Sequence, residues 1–349
     1  MADAATVVTT TLSSLMAKVQ QHLGLSSAFR CRVKWAHAEA LGATTKAYLS
    51  LGAYGMVVLD ITTPEHPHVV AEFLEGQVTL KHFTIERHIV YTACGKSGLR
   101  IFTNIDAAID EIGALVHPRC GAKSVAVQGD IALVTFGRSG VRVLDVANPS
   151  SPVELGGFKA DSLHDPRFVL LRDGWGYVSF GPGGVRILDV TNASLPCEIS
   201  SYTHGTFDAR HMALHGSFLF VAFSYGGLKV LDVSNPFSPV EVGSHSFPSS
   251  AAANCVHVQG QHVYVALGPG GLCVLRFRPL EGFEWLGAYA QEGADITSVH
   301  VTSDWLALVC TRQGNLNILD VRRPDHITVV STFTPDIRRL VCQRSCTTM

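Results

Sequence analysis

The chain has 349 residues, 47% hydrophobic and 16% charged, with a formal net charge of −2. This composition is ample for a large core, and it gives no global electrostatic reason to expect nucleic acid or an anionic membrane as partner. No apolar run reaches the roughly 18–20 residues that a membrane-spanning helix needs.

Residues 1–30 differ from the rest. They are rich in Ser and Thr, and Lys18 and Arg30 are their strong positive charges. They lack the basic start and apolar centre of a secretory signal. Leu12, Leu15, Met16, Val19 and Leu23 fall on one face of a short helix, so we read this segment as an N-terminal extension. Nine cysteines without a Cys-x-x-Cys pair argue for buried free thiols rather than a disulfide framework or structural zinc. The expected compartment is therefore cytoplasmic. The acid-poor extension offers an organellar alternative, such as the mitochondrion.

From residue 31 to about 340 the chain repeats itself. "GMVVLDI", "GLRIFTN", "GVRVLDV", "GVRILDV", "GLKVLDV", "GLCVLRF" and "NLNILDV" recur with anchors at Asp60, Thr103, Asp145, Asp189, Asp232, Arg276 and Asp320. The spacings are 43, 42, 44, 43, 44 and 44 residues. Each copy carries four short segments rich in β-branched and aromatic residues, alternating near period two and separated by turns such as "NPSSP" and "NPFSP". Helical repeats of this period would need long stretches free of Gly and Pro, and 32 Gly with 15 Pro exclude them. Four strands in each of seven copies predict an all-β protein, a seven-bladed β-propeller. Residues 341–349 remain as a basic tail.

"GVRVLDVANPSSPVELGGF" and "GGLKVLDVSNPFSPVEVGSH" resemble the LVIVD-repeat family of propellers. The resemblance covers about 300 residues, clearest in copies three to five. It implies a fold and not a chemistry, because propellers host unrelated functions.

Seven copies form an internal alignment. The Asp column (Asp60, Asp145, Asp189, Asp232, Asp320) suits carboxylates that accept backbone N–H groups in the following turn. Arg142, Arg186 and Lys229 occur together with Glu154, Glu198 and Glu241, whereas copy one has Val57 and Val69 at those positions. That covariation predicts a cross-strand ion pair between strands three and four. Arg100 extends the basic column into copy two.

A second basic column, 22 residues before the anchor, holds Lys81, Lys123, Arg167 and Arg210, then Asn254 and Ser298, with Ala38 in copy one. It opens strand one, around the mouth of the central channel. Lys96, Arg138 and Arg312 belong to loops on the same face, and His37, His82, His164, His211 and His300 are placed near that mouth. Lys81, Lys123, Arg167 and Arg210 are therefore anion-binding candidates, and His164, Asp165, Asp208 and His211 are acid/base candidates. The competing expectation is that each cation pairs with a neighbour and closes the channel.

Sixteen histidines show neither His-x-His nor His-Glu-x-x-His spacing, so no metal or other cofactor is assigned. Both Gly-Pro-Gly-Gly stretches lack a following helix and read as strand turns. No catalytic constellation emerges. The sequence therefore favours a non-enzymatic scaffold that meets other proteins through its faces or N-terminal arm, with no nucleic acid and no membrane as partner. A small anionic ligand at the channel mouth, bound by an enzyme or sensor, is the alternative.

Overall fold

The computed structural model describes residues 33–335 except 42–43, 74–77, 104–108, 161–163 and 292; the N-terminal extension and the basic tail lie outside them. Seven four-stranded antiparallel sheets follow one another around a ring. Blade three is typical, with strands Ser124–Gln128, Ile131–Thr135, Val141–Asp145 and Val153–Phe158 from the channel outwards. The predicted seven-bladed β-propeller is the observed fold.

The repeated glycine before strand three has a steric cause. Gly184 has φ of +76°, and a Cβ there would lie 2.2 Å from the Tyr202 carbonyl oxygen of strand four. Gly140, Gly227 and Gly271 face the same carbonyl in their blades. A side chain would break the start of the hairpin.

Strands two and three are buried on both faces because each blade packs on two neighbours. One core cluster joins blade three to blade four through Leu133, Val143, Val169, Val178 and Leu188. Another joins the first blade to the last through Leu49, Leu59, Leu308, Cys310 and Ile318. Blade one (Trp35–Leu41, Thr44–Ser50, Met56–Asp60, His68–Phe73) and blade seven (Ile296–Val301, Leu306–Thr311, Leu316–Asp320, Thr328–Phe333) each complete their own sheet. The ring thus closes by packing and hydrogen bonds between whole blades. The Ser331 hydroxyl donates to the Pro64 carbonyl across the closing seam at 2.5 Å, as Ser200 donates to Pro236 between blades four and five at 2.6 Å.

The Asp column is structural. Asp60, Asp145, Asp189, Asp232 and Asp320 each accept the backbone N–H two residues ahead, at 2.8–3.0 Å. The outer basic column pairs as expected: Arg186 holds both carboxylate oxygens of Glu198 at 2.6 and 2.8 Å, and Lys229 reaches Glu241 at 2.8 Å. A β-bulge after Ile187 shifts the register, so Arg186 faces Ser201 and reaches Glu198 diagonally. Arg186→Glu should lower the melting temperature, and adding Glu198→Arg should restore part of the loss. The coupling free energy should be about 0.5–1 kcal/mol. Equal melting of the single and double variants would refute the pairing.

The described cysteines are free thiols. Burial pushes the Cys255, Cys273 and Cys310 thiols up to about 12, which removes them from thiolate chemistry at neutral pH.

Candidate functional site

The start of strand one sets the mouth of the channel. Here the backbone N–H of Lys81, Lys123, Arg167, Arg210 and Asn254 donates to the last carbonyl of strand two in the same blade. Lys34 makes the same bond to Ser50. Lys34, not Ala38, is therefore the mouth residue of blade one. Strands one and two of that blade have 7 residues each, against 5 in blade three, and the longer hairpin moves the position by four. Ser298 also shifts. A bulge between Ile296 and Ser298 puts it one step inside the channel, buried, with its hydroxyl donating to the Lys34 carbonyl at 3.4 Å.

Much of the mouth charge is spent between blades. Lys123 Nζ lies 3.1 Å from Asp165 Oδ2, and Arg167 donates to Asp208 at 3.0 Å. Arg210 donates to the Asn254 side-chain amide oxygen of the next blade, and within blade seven Arg312 holds Asp295 at 2.5 Å. So Lys123, Arg167, Asp165 and Asp208 are brought together as neighbouring pairs. Lys34 and Lys81 have no carboxylate partner among the described residues. Partial burial and the neighbouring Lys123 and Lys34 charges hold Lys81 below the usual lysine range.

Below the mouth, the first inward residue of each blade fills the channel. Trp35, His82, Phe168 and His211 come from blades one, two, four and five and meet across the axis. The Phe168 and His211 ring centres are 4.1 Å apart, and Trp35 lies 5.0 Å from both His82 and His211. This plug is a core, and the sequence placement of His82 and His211 at the mouth is corrected accordingly. Each Nδ1 accepts a backbone N–H at 3.4 Å, from Val125 for His82 and from Val256 for His211. A protonated ring could not accept those bonds. Burial holds both imidazoles down to about 3.

His37, His257 and His300 lie two residues deeper on strand one, on adjacent blades, and belong to the channel rather than the mouth. His300 is 4.3 Å from His37 and 4.8 Å from His257, centre to centre. Desolvation lowers His37 and His257 to about 4 and His300 well below its ordinary value. Among the described residues, no group of three or more His, Cys, Asp or Glu is arranged to hold a metal ion.

Of the acid/base candidates, His211 is sealed in the plug, while His164 and Asp165 line a cavity of about 260 Å³ between blades three and four. Asp208 belongs to the next seam, bound to Arg167. A shallower cleft of about 410 Å³ lies on the opposite face between blades four and five, lined by Arg172, Trp175, Tyr177 and Pro236. Sequence reasoning missed Lys34 and the aromatic plug; the second was hidden because blade one was read four residues out of register.

A seven-bladed propeller with a closed channel is the class these features define. The LVIVD repeat matches residues 121–159, 167–204 and 208–246, which are blades three, four and five. The chain is a seven-bladed β-propeller whose third, fourth and fifth blades match the LVIVD repeat. No curated protein sequence matches it. Solved structures do, at low identity. The computationally designed Ika8 protein is 11% identical with a TM-score of 0.65, covering 89% of each chain. A chain of the mitotic checkpoint complex is 8% identical with a TM-score of 0.65, covering 84% of this chain and 93% of its own. At such identities the likeness carries the fold alone.

Proposed function

We propose that this propeller is a non-enzymatic interaction scaffold that meets partner proteins through its perimeter. The carrying observation is the contrast between a filled channel and an apolar rim. The channel, where propeller ligands would otherwise converge, is occupied by Trp35, His82, Phe168 and His211. The outermost strands keep large apolar residues in solvent: Val153 and Leu155 in blade three, Val240 and Val242 in blade five, Trp285 in blade six and Val329 in blade seven. Each outermost strand pairs on one side only, so its backbone edge is open to a further strand or loop. Residues of this kind, spread along several neighbouring blades, supply area for a protein partner and little for a small molecule.

The test compares perimeter and mouth variants of the full chain as baits in its native cell extract. Val240→Glu with Val242→Glu should lose a stoichiometric partner that Lys34→Glu with Lys81→Glu retains, both baits melting near the wild type. Loss of the partner from the mouth variant alone, or no stoichiometric partner on the wild type, would overturn the reading.

A further inference from the structure

On the face opposite the mouth, the last residue of strand one ties its blade to the hairpin between strands one and two of the next. Glu86 accepts the Gly129 N–H at 3.4 Å. Gln128 accepts the Asp173 N–H at 2.6 Å and donates to Asp173 Oδ1 at 3.3 Å. Gln259 donates to the Ser303 carbonyl at 3.5 Å. Blade four ends this strand with Arg172. A guanidinium has no acceptor, so Arg172 cannot take a hairpin N–H as Glu86 and Gln128 do. Its contacts lie in its own blade: it hydrogen bonds to the Tyr177 hydroxyl and its Nε lies 4.0 Å from Asp173 Oδ2.

The 410 Å³ cleft lies at this seam, within the roughly 300–1,000 Å³ typical of small-molecule sites. Its wall is drawn from residues 172–177 of blade four and 216–236 of blade five, all of them described. Buried Tyr177 and Val233, with Trp175 and Pro236, make up its apolar lining. Trp175 meets Phe237 edge-on, 5.6 Å between ring centres. Arg172 and Asp173 bring opposite charges to the same wall. Asp173 stands at a turn position with φ of +54°, which blades three, five and six fill with Gly129, Gly216 and Gly260. The turn itself therefore does not require a carboxylate. The Arg172–Asp173 pair is long, with side chains 33% and 73% exposed. An exposed pair of this kind is weak, so little opposes a ligand that replaces it with a charge for each partner.

We propose that the cleft between blades four and five binds a free α-amino acid with an apolar side chain. Such a ligand carries its carboxylate and ammonium on one carbon, matching the opposite charges of the adjacent Arg172 and Asp173. The carboxylate takes the guanidinium fork, and the ammonium takes Asp173 Oδ2 while Oδ1 stays with Gln128. The side chain lies against Trp175 and Pro236.

The experiment is isothermal titration of the full chain with phenylalanine and leucine, at probe concentrations up to roughly millimolar. At least one of them should bind saturably at one site per chain. N-acetylphenylalanine, without the ammonium, and phenylalanine amide, without the carboxylate, should each bind about tenfold or more weakly than phenylalanine. Arg172→Gln installs the residue that blades three and six carry, lets the seam be tied and should abolish binding. Asp173→Asn keeps a residue suited to a positive φ and should weaken binding about tenfold. Both variants should melt near the wild type. If Arg172→Gln does not fold, Asp173→Asn decides alone. Arg278→Gln, on the blade-six hairpin, should leave binding unchanged. No saturable binding by either amino acid would overturn the proposal. So would equal binding of phenylalanine and either blocked derivative, undiminished binding in Asp173→Asn, or a loss in Arg278→Gln as large as in Asp173→Asn.

Discussion

The melting temperature of this protein should fall steeply as the pH drops from about 7 to 5. Five channel histidines, His37, His82, His211, His257 and His300, are held below the ordinary histidine value, chiefly by burial. The unfolded chain binds their protons near pH 6.5, and the folded chain does not. Their contribution is therefore complete above that pH and is lost as pH falls towards the folded values of about 3 and 4. For the two fully enclosed rings, His82 and His211, the loss by pH 5 is about 2 kcal/mol each. Two such losses are a large part of a typical stability of roughly 5–15 kcal/mol. His37, His257 and His300 act in the same direction, with a smaller share because their side chains are less enclosed than those of His82 and His211. The check is melting temperature against pH for the wild type and for His82→Phe with His211→Phe. The double variant should show a clearly flatter slope; an equal slope would contradict the assignment.

Phe168→Ala should be the most damaging single truncation in the channel. Phe168 touches His211, His82 and Trp35, with ring centres 4.1, 5.1 and 6.4 Å away, and is buried. Removing a buried phenyl ring costs about 3–5 kcal/mol, because the surrounding side chains come from separate blades and cannot collapse freely. The same cavity admits water to His82 and His211. The variant should thus melt far lower at neutral pH and lose less on acidification than the wild type. Chemical denaturation at pH 7 and pH 5.5 measures both effects. Phe168→Leu, which keeps most of the volume, should recover much of the neutral-pH loss. A Phe168→Ala protein as stable as the wild type would show that the channel does not depend on this contact.

The blades were legible in the sequence because the chain aligns with itself. Gly184, Asp189 and the Asn-Pro turns repeat for local reasons: a carbonyl that excludes a Cβ, and a carboxylate that caps a turn. The covarying Arg186 and Glu198 were legible for the same reason, although the bulge that makes their contact diagonal was not. Where one copy departs in length, the alignment failed. Blade one's longer hairpin hid Lys34 from the mouth column and Trp35 from the column of His82, Phe168 and His211. Had that register been right, a run of bulky rings one residue after the mouth cations would have suggested a plug. Pro166 was visible as a proline where Ala122, Ala209 and Ala253 stand. Its consequence, a seam without the backbone bond that Ala122 donates to Gly95 and Ala209 to Gly181, needs the pairing between blades, which no single column encodes. The inter-blade pairing of Lys123 with Asp165 and of Arg167 with Asp208 was one of two expectations for the mouth.

These observations place the channel rings in the core of the propeller. The most direct measurement is a nuclear magnetic resonance titration of the imidazole nitrogens of the folded protein, across roughly pH 8 to 5.5. His82 and His211, assigned by their Phe variants, should remain neutral throughout, with one ring nitrogen protonated. If either takes up a proton near pH 6.5 in the folded state, the plug admits water, and the channel is a site rather than a core.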